Sequence, residues 1–285
     1  MELKTQQERA ATFREMHHGT KILILPNAWD VASARIFEAV GFGALGTTSA
    51  GVAASLGYPD GQRIPLDDML RVVRRIAEGV MVPVTADIEA GFGVTEGAVA
   101  ETVTSVIRAG AIGINLEDGT DNPESPLIDL NEHAAKVGAA KQAARSADVP
   151  IVINARTDVY LLEVGERSSR LQETVRRANS YLEAGADCVF VPGLGDAEVI
   201  AMLVREVAGP INILAGRGVP TIPELVELGV ARVSVGSGLM RAALAFTKSA
   251  AEGLLSSGTY CSFTEHTISY AELNKMLSEI NAGIL

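Results

Sequence analysis

The sequence is poor in cysteine and in positive charge, and it has no long apolar run. Its two cysteines, Cys188 and Cys261, are too few for a disulfide framework, so we expect a reducing cytoplasmic compartment. The 24 Lys and Arg residues are outnumbered by 35 Asp and Glu residues, which gives a formal net charge of −11. This balance argues against a nucleic-acid partner, because phosphate backbones are bound by clustered cations.

The lack of apolar runs argues against a membrane role. No apolar segment approaches the roughly 20 residues that span a bilayer, and the polar first 21 residues do not resemble a secretory signal. An acidic surface also gives no support for binding anionic lipids. If the substrate is anionic, a metal ion or a well-placed arginine must overcome this field.

One pattern recurs along the chain: a helix ends at glycine, and a short apolar strand follows. It is seen in FEAVGFGALGTTSA, IRAGAIGINLED, LEAGADCVFVPG and VELGVARVSVGS. Glycine suits the left-handed residue after a helix, and a continuous apolar run is typical of a parallel strand buried on both faces. With the runs that follow Pro83, Pro150 and Pro210 and the one near the start, the predicted strands lie near 22–28, 44–49, 82–88, 113–118, 150–156, 187–192, 211–215 and 232–236.

Helical patterns separate almost all of these strands, which predicts an α/β protein with a parallel sheet. Eight units in about 240 residues favour a (β/α)8 TIM barrel over an open doubly wound sheet. No break in composition marks a second domain, so we expect one domain over residues 1–285, with the barrel at about 20–250. The tail at about 257–285 is predicted to be an extra helical segment on the barrel's outside or on a neighbouring subunit.

Acidic residues follow the third and fourth predicted strands, where barrel enzymes place their chemistry. Asp87 and Glu89 are two residues apart and would share a strand face, and Glu117 ends the next strand. Carboxylates that point into one cavity repel one another unless a hard cation lies between them. Mg²⁺ is therefore predicted, with Mn²⁺ as the alternative. The other interpretation is that one acid caps the next helix and its neighbour is solvated.

Further candidate residues each have a functional and a purely structural interpretation. Arg156 either grips a substrate carboxylate or phosphonate, or forms a buried ion pair with Asp158 or another acid. Asp30 either caps the following helix or contacts the substrate. The TTSAG segment is a candidate anion cradle, and Asp60 lies in the loop GYPDGQ, which is otherwise an ordinary turn.

The histidines are predicted to be structural. His17, His18 and His266 lie in polar helical segments, which favours the surface. For His133, exposure or helix capping is favoured over catalysis. Cys188 lies inside a predicted strand and is assigned to the core.

Taken in order, the motifs PNAWDVASAR, GTTSAGVAASLGYPDG, ADIEAGFG, NLED and NARTD resemble the isocitrate lyase/phosphoenolpyruvate mutase superfamily over about residues 20–250. The resemblance implies a (β/α)8 barrel that exchanges its last helix between subunits and forms dimers or dimers of dimers. It also implies Mg²⁺, a 2-oxo acid or a 2-hydroxy acid that cleaves to one, and an enolate-like intermediate.

The resemblance assigns roles residue by residue, with Arg156, Glu117 and Asp60 expected to be catalytic. The implied contacts are Asp87 and Glu89 at the metal, Asp60 and Glu117 through the metal's waters, Thr48, Ser49 and Ala50 at the substrate carboxylate, and Arg156 at the substrate. Asp30 is a further candidate substrate contact because it follows the first strand, next to the site. The family more often has Asp at the position of Glu89, which therefore binds directly or through water.

The loop after the fourth strand, GTDNPESPLIDLNEH, departs from the family. It lacks the Lys-x-Cys-Gly-His of the lyases. The phosphonate enzymes of the family carry a Lys and an Asn-Ser on this loop, and here only Asn122 and Ser125 could stand in for them. Gly46 replaces a lyase tyrosine, and Pro192-Gly193 replace a lyase glutamate.

Three functions follow from these observations. The first is a Mg²⁺-dependent carbon–carbon lyase or decarboxylase acting on a small 2-oxo or 2-hydroxy (di)carboxylate. The second is a phosphoenolpyruvate- or carboxyphosphonoenolpyruvate-type phosphonomutase, or a phosphonopyruvate hydrolase. The third is a non-catalytic 2-oxo acid binding protein.

Overall fold

The protein is described from a computed structural model that covers residues 2–265 and 267–278. Within these ranges, from β2 to α10, every strand is followed by one helix or, after β3, by two. The strands are β1 (Leu23–Leu25), β2 (Asn27–Ala28), β3 (Leu45–Thr47), β4 (Val84–Asp87), β5 (Gly113–Glu117), β6 (Val152–Arg156), β7 (Cys188–Val191), β8 (Ile211–Leu214) and β9 (Arg232–Ser234).

All strand pairs are parallel, in the order β1-β9-β8-β7-β6-β5-β4-β3-β2. β1 and β2 are the two halves of the first predicted strand, which is interrupted at Pro26 because proline cannot donate to the ladder. β1 pairs with β9 and β2 pairs with β3, so this interrupted strand closes the sheet. The prediction of eight strands in a (β/α)8 barrel is confirmed.

The helices surround the strands, and caps that the sequence encodes define several of their ends. Asp30 caps one helix start and Asp129 another, while Gly41 and Gly185 end helices with φ of 104° and 115°. The helices are α1 (Leu3–Met16), α2 (Val31–Val40), α3 (Ser49–Ser55), α4 (Leu66–Gly79), α5 (Glu96–Arg108), α6 (Leu130–Ser146), α7 (Arg170–Ala184), α8 (Ala197–Glu206), α9 (Ile222–Glu227), α10 (Gly238–Ser257), α11 (Cys261–Thr264) and α12 (Tyr270–Ser278). None of the helices in the described ranges is both long and apolar enough to cross a membrane.

Helix α1 packs against the amino ends of the strands. Its Gln6 side chain donates to the carbonyl oxygens of Ile107 and Ala111, at 2.8 and 3.0 Å. Phe13 is fully buried, and His17 is buried beside it with Nδ1 at 2.8 Å from the Phe13 carbonyl oxygen. The prediction of a surface His17 is therefore wrong, because α1 turns this face into the barrel.

The C-terminal helices lie outside the barrel. Most of α10 is exposed, including Leu244 and Phe246, and α12 packs on α2, where Arg35 donates to the Met276 carbonyl oxygen. An extra C-terminal helical segment is confirmed, while its exchange between subunits stays a prediction. His18 is exposed as predicted. His266 and the last part of the predicted tail, 279–285, lie outside the described residues.

Candidate metal and carboxylate site

A cavity of about 1010 Å³ opens at the carboxyl ends of β3 to β6. Its wall contains five of the predicted site residues: Ser49, Asp60, Glu89, Glu117 and Arg156. Asp87 is not part of this wall, but its charge acts on Asp60, Glu89, Glu117 and Arg156 alike. The barrel therefore brings the predicted acids and the arginine together.

Asp87 ends β4 and is nearly buried, at 9% exposure. Its Oδ2 accepts from the Ser49 backbone N–H at 3.0 Å, and its own N–H donates to Thr47 Oγ1 at 2.9 Å. Its Oδ1 has no hydrogen-bond partner among the described residues. Because buried polar atoms are normally paired, this free carboxylate oxygen is suited to a ligand such as a cation.

Glu89 does not reach the site by strand alternation, because β4 ends at Asp87. Its backbone has φ 51°, a left-handed conformation that is uncommon for a residue with a side chain. The Glu117 N–H donates to the Glu89 carbonyl oxygen at 2.9 Å, and the Gln62 N–H donates to its Oε2 at 2.5 Å. The prediction that Glu89 shares a strand face with Asp87 is therefore wrong. The buried side chain of Glu89 nevertheless lies close enough to Asp87 and Asp60 for their charges to act on it.

The acids raise one another's pKa values. Burial, followed by the charges of Asp87 and Asp60, raises the pKa of Glu89 to about 7. Burial and Asp87 also raise the pKa of Asp60. A cation bound among these groups would remove the repulsion.

Arg156, at the end of β6, neutralises two further acids. Its Nη1 lies 2.6 Å from Glu117 Oε2, while Nε and Nη2 lie 2.6 and 2.9 Å from the two oxygens of Asp158. Burial lowers the pKa of Arg156, but Glu117 and Asp158 more than offset this and raise it above its usual value. Burial raises the pKa of Glu117 against the opposing effect of Arg156. The predicted ion pair with Asp158 is confirmed, and Arg156 stays charged.

No three His, Cys, Asp or Glu side chains among the described residues come together in a group that could hold a metal ion. The acids are therefore not a closed cage of direct ligands. Mg²⁺ commonly keeps several waters and takes one or two protein carboxylates. The free Asp87 Oδ1 and the all-oxygen set around it fit that mode of binding.

The predicted carboxylate cradle is only partly in place. Thr48 caps α3 by accepting from the Gly51 N–H at 3.4 Å, and the Ser49 N–H is already used by Asp87. Of the segment Thr48–Ala50, only Ser49 belongs to the cavity wall, where its side chain hydrogen-bonds Asp60. Asp30 caps α2 through Ser33 N–H at 2.7 Å and lies outside that wall.

Sequence reasoning missed a buried network centred on Asp118. Its Oδ2 accepts from Arg177 Nη1 at 3.0 Å and from Tyr181 Oη at 2.7 Å. Its Oδ1 accepts from the Asp158 backbone N–H at 2.9 Å. Asp118 thus positions the backbone of Asp158, whose side chain pairs with Arg156. The signal in the sequence was that Asp118 directly follows Glu117 in NLED.

The same network anchors the loop after β5. Ile128 N–H donates to the Asp118 carbonyl oxygen at 2.8 Å, and Arg177 Nη1 donates to the Ile128 carbonyl oxygen at 3.0 Å. His133 is fully buried with its ring 4.7 Å from that of Tyr181. The prediction that His133 is exposed or caps a helix is therefore wrong, because α6 turns this residue towards the barrel.

Fold and site together define a class of protein: a (β/α)8 barrel with clustered acids and a buried arginine at the carboxyl ends of neighbouring strands. The family profile of phosphoenolpyruvate phosphomutase matches residues 13–255. The chain belongs to this family, within the isocitrate lyase/phosphoenolpyruvate mutase superfamily.

Relatives include proteins with and without a described activity. The chain is 41% identical over 226 residues to an uncharacterized protein of Mycobacterium tuberculosis, which covers 79% of this chain and 82% of that protein. It is 33% identical over 185 residues to 2-methylisocitrate lyase of Escherichia coli, covering 62% of this chain and 60% of the lyase.

Two solved structures illustrate the similarity in fold. A putative lyase/mutase from Burkholderia cenocepacia has a TM-score of 0.89 and 37% identity, covering 95% of this chain and 96% of that one. Phosphonopyruvate hydrolase in complex with oxalate and Mg²⁺ has a TM-score of 0.84 and 25% identity, covering 97% of each chain.

Proposed function

We propose that the protein is a Mg²⁺-dependent enzyme that cleaves a carbon–carbon bond in, or decarboxylates, a small 2-oxo or 2-hydroxy (di)carboxylate through an enolate. The buried, unpartnered Oδ1 of Asp87 within a cluster of acids is the observation that carries this proposal. The lyases among its relatives, and the Mg²⁺ and oxalate in phosphonopyruvate hydrolase, support it.

The chain's own residues divide the work. Asp87 and Glu89, with Asp60 and Glu117 through water, would hold the cation, which when bound stabilises negative charge that develops on the substrate. Arg156 uses three of its five N–H donors on Glu117 and Asp158. Two donors remain for a substrate carboxylate, and Ser49 lies on the same cavity wall.

The proton carrier is assigned to the loop after β5. Asp121 lines the cavity and pairs with Arg63 at 3.1 Å, with both side chains mostly exposed. Asp129, the other loop acid on the cavity wall, is committed to capping α6. Asp121→Asn should lower kcat by at least about 10²-fold, the lower end of the usual contribution of a general acid or base. Glu124→Gln, on the same loop but outside the cavity wall, is the matched control and should retain activity.

Turnover of a substrate panel tests the proposal. Purified protein is incubated with 2-oxo and 2-hydroxy mono- and dicarboxylates, with Mg²⁺ or with a chelator, and pyruvate, glyoxylate and CO₂ are measured. We expect release only with Mg²⁺. Absence of turnover on every acid by a folded protein would reject the lyase and decarboxylase assignment.

Phosphonate chemistry is the second candidate, because the family profile is that of a phosphomutase. The loop after β5 has no lysine in residues 119–130, which weighs against it. Phosphorus NMR of phosphonopyruvate separates the two, since only a phosphonate enzyme converts its phosphorus signal. If the protein binds a 2-oxo acid tightly and returns it unchanged after hours, it is a binding protein.

We further propose that the exposed α10 packs on a second copy of the chain, as the superfamily's exchanged last helix implies. Leu244, Phe246 and Leu255 are 55%, 46% and 92% exposed on it, which leaves an apolar helix in water. Sedimentation analysis should give a dimer or tetramer, and a monomer at micromolar concentration would reject this assembly.

A further inference from the structure

Arg232 is a cation enclosed in the barrel beneath the acid cluster. It begins β9, is fully buried, and is the largest side chain among those with almost no exposure. Its Nε donates to Ser234 Oγ at 3.2 Å and its Nη2 to Asn115 Oδ1 at 3.4 Å. Both partners are neutral.

No ion pair joins this guanidinium to any carboxylate in the described part of the chain, and its Nη1 has no partner there. Burial lowers the pKa of Arg232 to about 10, so it remains charged at neutral pH. A buried charge is costly unless it is paired, so a charge without a contact partner requires another source of stabilisation.

The position of Arg232 supplies that source. Asn115, which accepts from its Nη2, is the register partner of Asp87 across β4 and β5. The guanidinium therefore contacts the residue that is in register with Asp87, and the charge of Asp87 acts on it. The cluster itself contains one cation, Arg156, which contacts Glu117 and Asp158, and five carboxylates: Asp60, Asp87, Glu89, Glu117 and Asp158.

The net charge of the site indicates a role for Arg232, and this role rests on the proposed function. Bound Mg²⁺ would favour the ionised form of every acid in the cluster. Five ionised carboxylates and Arg156 leave four negative charges, and Mg²⁺ would still leave two, so a 2-oxo acid would enter a site of its own sign. We propose that the positive charge of Arg232 offsets part of the negative charge of the site, so that the Mg²⁺-loaded site accepts an anionic substrate. The same charge lowers the affinity of the site for Mg²⁺. It does so from below, without touching either ligand.

A purely structural role makes a different prediction. The guanidinium lies 5.9 Å from the centre of the Phe13 ring, so Arg232 could serve only to fasten α1 to the barrel. Loss of that fastening would weaken the fold and lower both affinities together. The electrostatic role moves the two affinities in opposite directions.

Calorimetry on Arg232→Met and Arg232→Gln tests the inference, with thermal unfolding as the check that each variant is folded. Mg²⁺ is titrated into the metal-free protein, and oxalate into protein saturated with Mg²⁺. We expect the charge-removing variants to bind Mg²⁺ about tenfold more tightly and oxalate about tenfold more weakly, for charges several ångströms apart in a partly buried setting.

Two variants keep the charge and serve as controls. Arg232→Lys should return both affinities towards the wild-type values. Ser234→Ala removes the hydroxyl that accepts from Arg232 Nε and from Asn212 Nδ2 but keeps the charge, so it should leave both affinities unchanged. If Arg232→Met and Arg232→Gln shift both affinities in the same direction, or shift neither, the inference is wrong. If the wild-type protein binds neither Mg²⁺ nor oxalate, the proposed function itself fails.

Discussion

The two halves of the barrel mouth differ sharply. The described residues that line the cavity all fall between Ser49 and Leu162, around the ends of β3 to β6. The segments at the ends of β7 to β9, VPGLG, LAGRG and VGSG, are rich in glycine and contain no acidic residue. The later half contributes Asn212, Arg232 and Ser234 to the buried interior instead. A closed barrel thus allows one half to concentrate negative charge while the other supplies neutral packing and a compensating cation.

The strongest test of this asymmetry compares one aspartate from each half. Asp87→Asn should abolish measurable Mg²⁺ binding and lower any Mg²⁺-dependent turnover by at least about 10²-fold, because it removes the buried carboxylate. Its effect on the stability of the metal-free protein should be small, because relief of the repulsion from Asp60 and Glu89 offsets the lost attraction to Arg156 and Arg232. Asp196 in the later half caps α8, and asparagine caps a helix equally well. Asp196→Asn should therefore change neither Mg²⁺ binding nor stability. Equal effects of the two substitutions would contradict the asymmetry.

Arginines give the next comparison. Arg156→Met leaves Glu117 and Asp158 without their cation, and loss of one partner of a buried pair costs about 3–5 kcal/mol of unfolding free energy. Oxalate binding should also be lost. Arg217→Met, at an exposed site after β8, should stay within about 0.5 kcal/mol of wild type. Urea unfolding and calorimetry measure both, and an Arg156→Met protein that is as stable as wild type would be inconsistent with the ion pairs.

A smaller effect is expected behind the site, at Asp118. Asp118→Asn keeps the shape but loses the charge that Arg177 and Tyr181 contact, which should cost about 2–3 kcal/mol. Because Asp118 also positions Asp158, kcat should fall about tenfold while Mg²⁺ affinity is retained. Tyr181→Phe removes one hydrogen bond and should cost about 1 kcal/mol with kcat unchanged. An Asp118→Asn protein with full kcat would show that the network only stabilises the fold.

The smallest effect is the pH dependence of Mg²⁺ binding. Glu89 has a pKa of about 7 in the metal-free fold against 4.5 ordinarily, so its ionisation disfavours folding increasingly as pH rises from about 4.5 to about 7. Mg²⁺ competes with that proton, so its affinity should rise roughly tenfold from about pH 6 to about pH 8 and then level off. Glu89→Gln should bind Mg²⁺ more weakly and with a flatter pH profile. An affinity independent of pH in the wild type would contradict the assignment.

Much of the fold was predictable because buried parallel strands and glycine-terminated helices leave local signals. The acids at Asp87 and Glu117 were predictable for the same reason, since each ends an apolar run. The left-handed backbone of Glu89 was not, because contacts with Gln62 and Glu117 impose it from other parts of the chain.

Other misses had a local signal whose meaning depends on packing. Arg232 stands alone in the apolar run VARVSV, where alternation alone does not reveal whether it faces the interior or the surface. Asp118 and His133 are polar residues next to recognised features, and only the docking of α6 and α7 buries them. Burial of polar groups is set by partners distant in sequence, as Arg177 and Tyr181 are from Asp118.

The central claim is that the acid-rich half of the mouth is a Mg²⁺-dependent site for the carboxylate of a 2-oxo acid. Calorimetric titration of oxalate into the wild-type protein, with saturating Mg²⁺ and then with a chelator, tests it without requiring turnover. We predict binding with Mg²⁺ and none with the chelator. Equal binding under both conditions, or no binding with Mg²⁺, would contradict the claim.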